Sequence, residues 1–298
     1  MRGLGIMTIE IKKPIILLGT GRCGSTALHK LLSQHPNVAW LSRLSNRFPD
    51  RPKYDYWLMR SFDLPVIGHP LNRRFNPSEG YFFWQHYAPG FRQPFRDLMA
   101  QDVTNREKKA VCRAMAQILT SQRQRLLIKI TGWPRIGYLK EIFADAKFIH
   151  IVRDGRAVAN SMLAVNFWDG WHGPERWRWS PLTPDQNRIW EGTNKSFVAL
   201  AGLEWVMMQE ATIKAKSLLQ PDELLEIRYE DFCADKLAIT RQIAQFAELD
   251  WSQKFEHAVQ SFPVESQNFK WKTELTVEQQ RILEDIEHEY LQHYGYLR

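Results

Sequence analysis

The sequence is poor in cysteine and has no long run of apolar residues. Its three cysteines, Cys23, Cys112 and Cys233, show neither the spacing of metal ligands nor that of a disulfide framework. No stretch reaches the roughly 20 apolar residues of a membrane-spanning helix, and the first residues lack the long apolar region of a signal peptide. The sequence therefore predicts a cytoplasmic protein without a membrane span.

Blocks of like charge are also absent. The 40 Lys and Arg residues outnumber the 33 Asp and Glu residues, which gives a formal charge of +7. Because the basic residues are scattered and no nucleic-acid-binding module is recognisable, this excess favours an anionic small ligand over nucleic acid. The 298 residues, 44% of them hydrophobic, suffice for one large domain over 1–298, with two domains as the alternative.

A strand, a glycine-rich loop and a helix follow one another near the start of the chain. Residues 15–18 form an apolar run, Gly19, Gly21 and Gly24 punctuate the loop, and an amphipathic helix is predicted over 25–33. Glycine permits the positive φ angles that let backbone N–H groups converge on an anion, and the helix N-terminus adds its positive dipole end. The order predicts a phosphate-binding loop.

The loop lacks the lysine of nucleoside triphosphatases. Their pattern ends in Gly-Lys-Ser/Thr, whereas here Gly24 is followed by Ser25 and Thr26, and Arg22 lies within the loop. Since the missing lysine contacts the β- and γ-phosphates, its absence argues against ATP or GTP hydrolysis. A P-loop small-molecule kinase, with Asp154 as the strand-end acid for Mg²⁺, and a non-catalytic nucleotide-binding protein are the alternative functions.

The loop segment GTGRCGSTAL, Gly19 to Leu28, resembles that of the sulfotransferase superfamily that uses 3′-phosphoadenosine 5′-phosphosulfate (PAPS), especially its bacterial and tyrosylprotein-type branches. Where the family usually has serine, this chain has Cys23, which we interpret as a small filler rather than a nucleophile. The resemblance implies that five successive residues hold the 5′-phosphosulfate, namely Arg22, Cys23, Gly24, Ser25 and Thr26.

A second strand, charged turn and helix occupy 147–165. The apolar run 148–152 predicts a parallel strand, and the residues 156–163 favour a helix. In the family, an arginine at this strand end and a serine eight residues later bind the 3′-phosphate, and Arg153 and Ser161 stand at that spacing. A guanidinium grips phosphate in a bidentate manner, and the hydroxyl adds a neutral donor.

Weaker matches follow the same family pattern. Lys129, within the apolar run 126–130, corresponds to a family lysine near the sulfuryl group, and Tyr229 to a tyrosine that approaches the nucleotide. Trp271 and Lys272 lie in a segment similar to the C-terminal loop that covers the nucleotide. The resemblance implies PAPS as the co-substrate, no metal, and release of 3′-phosphoadenosine 5′-phosphate (PAP).

Strand-like runs alternate with helical ones along the chain. Such alternation predicts an α/β fold of three layers, with the P-loop beside a central parallel sheet flanked by helices and ligands at the carboxyl ends of the strands. Strands are predicted over 15–18, 126–130, 148–152 and 223–227, and further helices over 108–121, 135–143, 193–219 and 276–294.

Two aromatic-rich insertions interrupt the alternation, at about 39–87 and 166–190. The second holds five of the 12 tryptophans, and prolines in the first argue against a regular helix there. Long structured loops in a compact domain are usually functional, and indoles offer flat amphipathic surfaces. We expect one or two indoles to line the cleft for an acceptor hydroxyl or amine on a small molecule, glycan or lipid, and the others to pack in the core.

The family pattern leaves the general base open. In the tyrosylprotein branch the base is a glutamate shortly after the loop helix, but residues 40–45 contain none. Glu79, beside glycine and aromatic residues, is the first substitute, and His69 and His86 are the next. The competing roles for Glu79 are structural, either as a helix N-cap partner of Ser78 or in an ion pair. The predicted catalytic residues are Arg22, Lys129 and Glu79.

Overall fold

A five-stranded parallel sheet organises the computed structural model, which describes residues 10–64, 75–92 and 95–297. Its order is β2-β3-β1-β4-β5, so β1 lies at the centre between β3 and β4. Because all strands run in parallel, the segments that follow β1, β3 and β4 meet at one edge of the sheet. The strands are β1 Ile15–Gly19, β2 Val38–Trp40, β3 Arg125–Thr131, β4 Lys147–Val152 and β5 Leu224–Arg228.

Helices flank this sheet, as the predicted three-layer α/β fold requires. In chain order, the α-helices of the described residues are α1 Ser25–Leu32, α2 Arg43–Arg47, α3 Lys53–Phe62, α4 Tyr81–Tyr87, α5 Asn105–Ala116, α6 Ile136–Ile142, α7 Gly155–Leu163, α8 Pro184–Gly192, α9 Phe197–Lys216, α10 Tyr229–Ala234, α11 Lys236–Phe246, α12 Gln253–Ser261, α13 Trp271–Glu274 and α14 Val277–His293. None of these helices, within the ranges given, is both long and apolar enough to cross a bilayer.

The predicted strands are confirmed, and their burial explains why they could be recognised. All five residues of β1 are buried, and β4 is buried except at Lys147. A parallel sheet covered on both faces selects continuous apolar runs of this kind. β2 was not predicted because it has three residues, VAW, which is too short to stand out from its surroundings.

The prediction that prolines exclude regular helices from 39–87 is wrong. This insertion contains α2, α3 and α4. Pro52 lies at the N-cap of α3, where its missing N–H leaves no hydrogen bond of the helix unmade. The insertion 166–190 is largely irregular, with one 3₁₀ turn at Asp169–His172 before α8 begins.

Two clusters of buried apolar side chains account for most of the core. The first joins the strands of the sheet with α1, α5 and α6. The second surrounds α7 and α9 and includes the indoles of Trp133, Trp168, Trp177 and Trp271. Two tryptophans of the insertion 166–190, Trp168 and Trp177, thus pack in the core, which is the expectation for any single tryptophan. The assignment of 1–298 to one domain stays a prediction.

Candidate active site

The loop between β1 and α1 has the backbone geometry of an anion-binding turn. Arg22 and Gly24 have φ angles of 64° and 91°. A Cβ added at Gly24 would overlap the ring of Tyr229, so both the φ angle and the close approach require glycine. Within the described chain, no side chain caps the N-terminus of α1. Its first N–H groups are therefore available to an anion.

Arg22 and Ser161, predicted from separate motifs, contact each other directly. The Arg22 Nε donates a hydrogen bond of 2.9 Å to the Ser161 Oγ, across the gap between the loop and α7. The carbonyl of Arg22 accepts a second one, also 2.9 Å, from Nη1 of Arg153. The two predicted phosphate-binding elements thus form one continuous polar surface.

Arg153, at the end of β4, is only 6% exposed and joins four segments of the chain. Besides Arg22, its guanidinium donates to the Asn268 Oδ1 and to the Gln267 carbonyl, each at 3.0 Å. The same group lies 4.6 Å from the centre of the Tyr229 ring. These contacts fix a buried positive charge beside the loop and bring the segment before α13 next to it.

These residues line a cavity of about 360 Å³. Its walls come from the loop, from α7, from Tyr229 and from the chain around α13. Of the predicted site residues, the following line it: Arg22, Gly24, Ser25, Thr26, Arg153, Ser161 and Tyr229. The structure adds four polar residues that the sequence analysis did not single out: Asn160, Gln267, Lys270 and Glu274.

Lys270, and not the predicted Lys272, lines this cavity. Lys270 and Glu274 line the cavity, whereas the Lys272 ammonium lies over the rings of Phe269 and Trp271, 5.5 and 5.6 Å from their centres. Trp271 is buried, and its indole packs against Arg156 at 4.3 Å. Glu274 accepts a hydrogen bond of 2.6 Å from Asn160 Nδ2, which ties α13 to α7.

Cys23 is fully buried beneath the loop. Burial raises the pKa of its thiol, and hydrogen bonds with Ser25 and the charges of Lys129 and Arg153 oppose this only in part. A thiol of this kind is a poor nucleophile. Its environment agrees with the role of a small filler under Gly19, where an added Cβ would overlap the sulfur.

Lys129 links the loop to Glu79. The Lys129 Nζ donates 2.9 Å to the Thr26 Oγ1 and lies 2.9 Å from the Glu79 Oε1. The hydroxyl of Thr131 donates to the same carboxylate oxygen at 3.0 Å. The Lys129 side chain is 7% exposed, so the ion pair, rather than snorkelling to solvent, compensates its charge. Glu79 therefore forms an ion pair, which was a competing role for it, and its partner is the predicted catalytic lysine.

The other acidic and basic candidates lie elsewhere. Asp154 accepts from the backbone and side chain of Arg156 and caps α7, so the strand-end acid of the kinase alternative is already engaged. His86 is exposed at the end of α4, with its ring 4.7 Å from that of Tyr87. His69 lies outside the described residues.

Over the described ranges, no cluster of three or more possible ligands could hold a metal, and metal independence stays a prediction.

Two more cavities bear on the site. One, of about 930 Å³, shares Thr26 with the first and continues along α1 past Ala27 and Lys30 to Phe262. The other, of about 520 Å³, lies within the insertion 166–190 and is lined by Trp177, Trp179 and Trp190.

Trp179 connects the third cavity with the end of β3. Its six-membered ring packs so closely on Gly132 that an added Cβ there would overlap it. Gly132 directly follows Thr131, the hydrogen-bond partner of Glu79. One wall residue of the indole-lined cavity thus packs against the glycine that follows Thr131.

A buried glutamate supports this aromatic insertion. Glu204, on α9, accepts a hydrogen bond of 2.5 Å from Trp168 Nε1 and is 5% exposed. Burial raises the pKa of its carboxyl to about 7, although hydrogen bonds from Trp168 and Trp179 lower it in part. The insertion is therefore anchored by a group that titrates near neutral pH.

Comparisons with known proteins agree with this geometry. Residues 14–253 match the sequence model described as Sulfotransferase family. Stf3 of Mycobacterium bovis, named omega-hydroxy-beta-dihydromenaquinone-9 sulfotransferase, is 24% identical over 98% of this chain and 77% of its own length, and Stf3 of Mycobacterium tuberculosis matches to the same extent. The crystal structure of the sulfotransferase STF9 from Mycobacterium avium superposes with a TM-score of 0.59 at 17% identity, covering 95% of this chain and 76% of that one.

Proposed function

The chain belongs to the sulfotransferase family, and on that premise we propose that it transfers the sulfuryl group of PAPS to the hydroxyl of a largely apolar acceptor. One observation carries the choice of donor: Arg22, Arg153 and Ser161 surround the same cavity as the uncapped N-terminus of α1. Family membership favours sulfuryl transfer over the two alternatives, a P-loop kinase and a non-catalytic nucleotide-binding protein.

The two phosphate groups of the donor would occupy different parts of this polar surface. The backbone N–H groups from Cys23 to Thr26 suit the 5′-phosphosulfate, because a helix N-terminus stabilises negative charge. Arg153 and Ser161 suit the 3′-phosphate, with Lys270 as a further cation on the same cavity wall. The nucleoside would extend past Thr26 into the cavity along α1.

Transfer then poses an electrostatic problem. The acceptor oxygen attacks sulfur, the bond between sulfur and the 5′-phosphate oxygen breaks, and PAP leaves with the bonding electrons. Arg22 and Lys129 would stabilise the charge that develops on the bridging oxygen. The acceptor proton would pass to Glu79, which lies 2.9 Å from the Lys129 ammonium.

A lipid hydroxyl is the acceptor class that we favour among small molecules, glycans and lipids. The relative Stf3 is named for a menaquinone-derived lipid acceptor. The cavity of the insertion 166–190 has Trp177, Trp179, Trp190 and Leu182 among its walls, which suit a long apolar group.

Thermal stabilisation by PAP tests the donor assignment. We expect PAP to raise Tm without Mg²⁺ and ATP with Mg²⁺ to have little effect. A shift with ATP and Mg²⁺ alone would favour the kinase.

Transfer of labelled sulfuryl from PAPS to an ω-hydroxylated prenyl quinol, compared with a disaccharide, tests the acceptor separately. Preferential labelling of the disaccharide would refute the lipid acceptor and leave the donor assignment intact.

A further inference from the structure

Large aromatic side chains are exposed on the surface formed by α2, α3, α4 and their connections. The Trp57 side chain is 63% exposed and that of Phe82 is 49% exposed. Contiguous exposed apolar patches mark interaction sites, whereas single exposed apolar residues are ordinary. Here the ring centres of Phe48 and Tyr54 lie 5.3 Å apart. We call this surface, made by the exposed side chains of 43–64 and 75–92, the aromatic basic face. Its exposed aromatic residues are Phe48, Tyr54, Trp57 and Phe82.

The same face is strongly cationic. Asp50 is the one exposed acidic residue of 43–64 and 75–92. Of the others, Asp55 is buried, Asp63 pairs with Arg123, and Glu79 pairs with Lys129. The exposed basic residues of the face are Arg43, Arg47, Arg51, Lys53, Arg60 and Arg92.

Within α3, an exposed aromatic side chain and exposed basic side chains lie on one stripe of the helix. Lys53, Trp57 and Arg60 follow helical spacing and are all exposed, whereas Leu58 and Met59 are buried against the core. An indole between two cations suits the boundary between water and anionic lipid, because the ring enters the headgroup layer while the cations meet phosphates. Beyond the end of α4, Arg92 likewise covers the Phe82 ring at 4.5 Å.

One residue of this face, Phe82, is close to Glu79 in the chain. The neighbouring residues Tyr81 and Phe82 point in opposite directions, one into the protein and the other into solvent. The Tyr81 hydroxyl donates inward to the Thr131 carbonyl at 2.9 Å, whereas the Phe82 ring lies outside. Phe82 is three positions from Glu79 along the chain. A surface in contact with Phe82 is thus close to the proposed acceptor end of the site.

We propose that the aromatic basic face docks on the surface of an anionic lipid bilayer. Charge complementarity is the reason for choosing an anionic bilayer as the partner, since six exposed cations and one exposed anion accompany the aromatic rings. Docking would bring the site to the membrane, where an apolar acceptor with a polar hydroxyl resides. That consequence rests on the lipid acceptor of the proposed function, whereas the docking itself does not.

Co-sedimentation of the intact chain with vesicles tests the proposal, using phosphatidylcholine with and without phosphatidylglycerol. We expect binding only to the anionic vesicles. Each basic residue near a membrane surface contributes about fivefold to binding, so Lys53→Gln with Arg60→Gln should weaken it about 30-fold. Trp57→Ala should weaken it roughly tenfold through lost apolar burial. The matched control neutralises two exposed cations of other helices, Lys214→Gln on α9 with Arg281→Gln on α14.

Three results would overturn the proposal. They are an absence of vesicle binding, an equal loss in the control, and unchanged binding of the Trp57 variant, which would indicate diffuse counterion attraction. If the Trp57 variant instead changes the mass of the protein in solution, the face belongs to a second copy of the chain. PAP stabilisation measured on every variant establishes folding and tests the donor site independently, so failure of docking and failure of the proposed function give different results.

Discussion

Replacement of Glu79 by glutamine separates a proton acceptor from a structural ion pair. The introduced amide would keep an oxygen that can accept from Lys129 and from Thr131, at the 2.9 and 3.0 Å seen for the glutamate. The variant loses the charge and the ability to accept a proton. Because a hydrogen bond to a charged group contributes about 1.5–3 kcal/mol, we expect a stability loss of about 2 kcal/mol, or a fall in Tm of several degrees.

The catalytic effect should be much larger than the structural one. A positioned general base contributes about 10²- to 10⁴-fold to turnover, so kcat for Glu79→Gln should fall by that factor while PAP stabilisation persists. Single-turnover transfer from PAPS, measured across pH, gives the rate. Glu223→Gln is the matched control, because Glu223 also pairs with a lysine, Lys140, away from the loop. Normal kcat for Glu79→Gln at every pH would refute the role of base.

Further predictions concern the loop and the aromatic insertion. Arg22→Ala should abolish transfer while PAP still raises Tm, and undiminished turnover would exclude Arg22 from catalysis. Gly24→Ala should lose PAP stabilisation because its Cβ meets Tyr229, whereas Gly90→Ala, with a similar φ of 94° but open space around it, should keep it. Glu204 binds a proton up to about pH 7 when folded but only to about pH 4.5 when unfolded, so stability should fall by about 3 kcal/mol as pH rises through that window. Urea unfolding of Glu204→Gln should show a smaller fall.

The fold and the donor side could be predicted because local patterns determine them. Continuous apolar runs marked β1 and β4, and the loop glycines follow β1 directly. Helical periodicity also explains why Ser161 could be predicted. Ala157, Asn160 and Ser161 share one face of α7 and line the cavity together with the C-cap residue Ala164, so the same spacing could have identified Asn160.

Lys270 could not be chosen over Lys272 from sequence. The segment FKWKTEL has lysines on both sides of Trp271, and α13 has only four residues, which is too short for a hydrophobic pattern to fix its orientation. Tertiary packing determines instead which of the two lysines lines the cavity. Trp271 is held against Arg156, which Asp154 and Glu284 bind in turn. That cluster turns Lys270 and Glu274 toward the cavity.

The position of Glu79 depends on contacts that are distant in sequence. Gly80, with φ 68°, begins α4, and an isolated bridge between Ser42 and Pro77 holds the segment beside β2. Glu79 consequently meets Lys129, fifty positions away. Since Lys129 also contacts Thr26, a single chain of hydrogen bonds runs from the donor loop to the proposed proton acceptor. This chain of contacts is a physical route by which binding of the anionic donor at the loop would compete with Glu79 for the charge of Lys129.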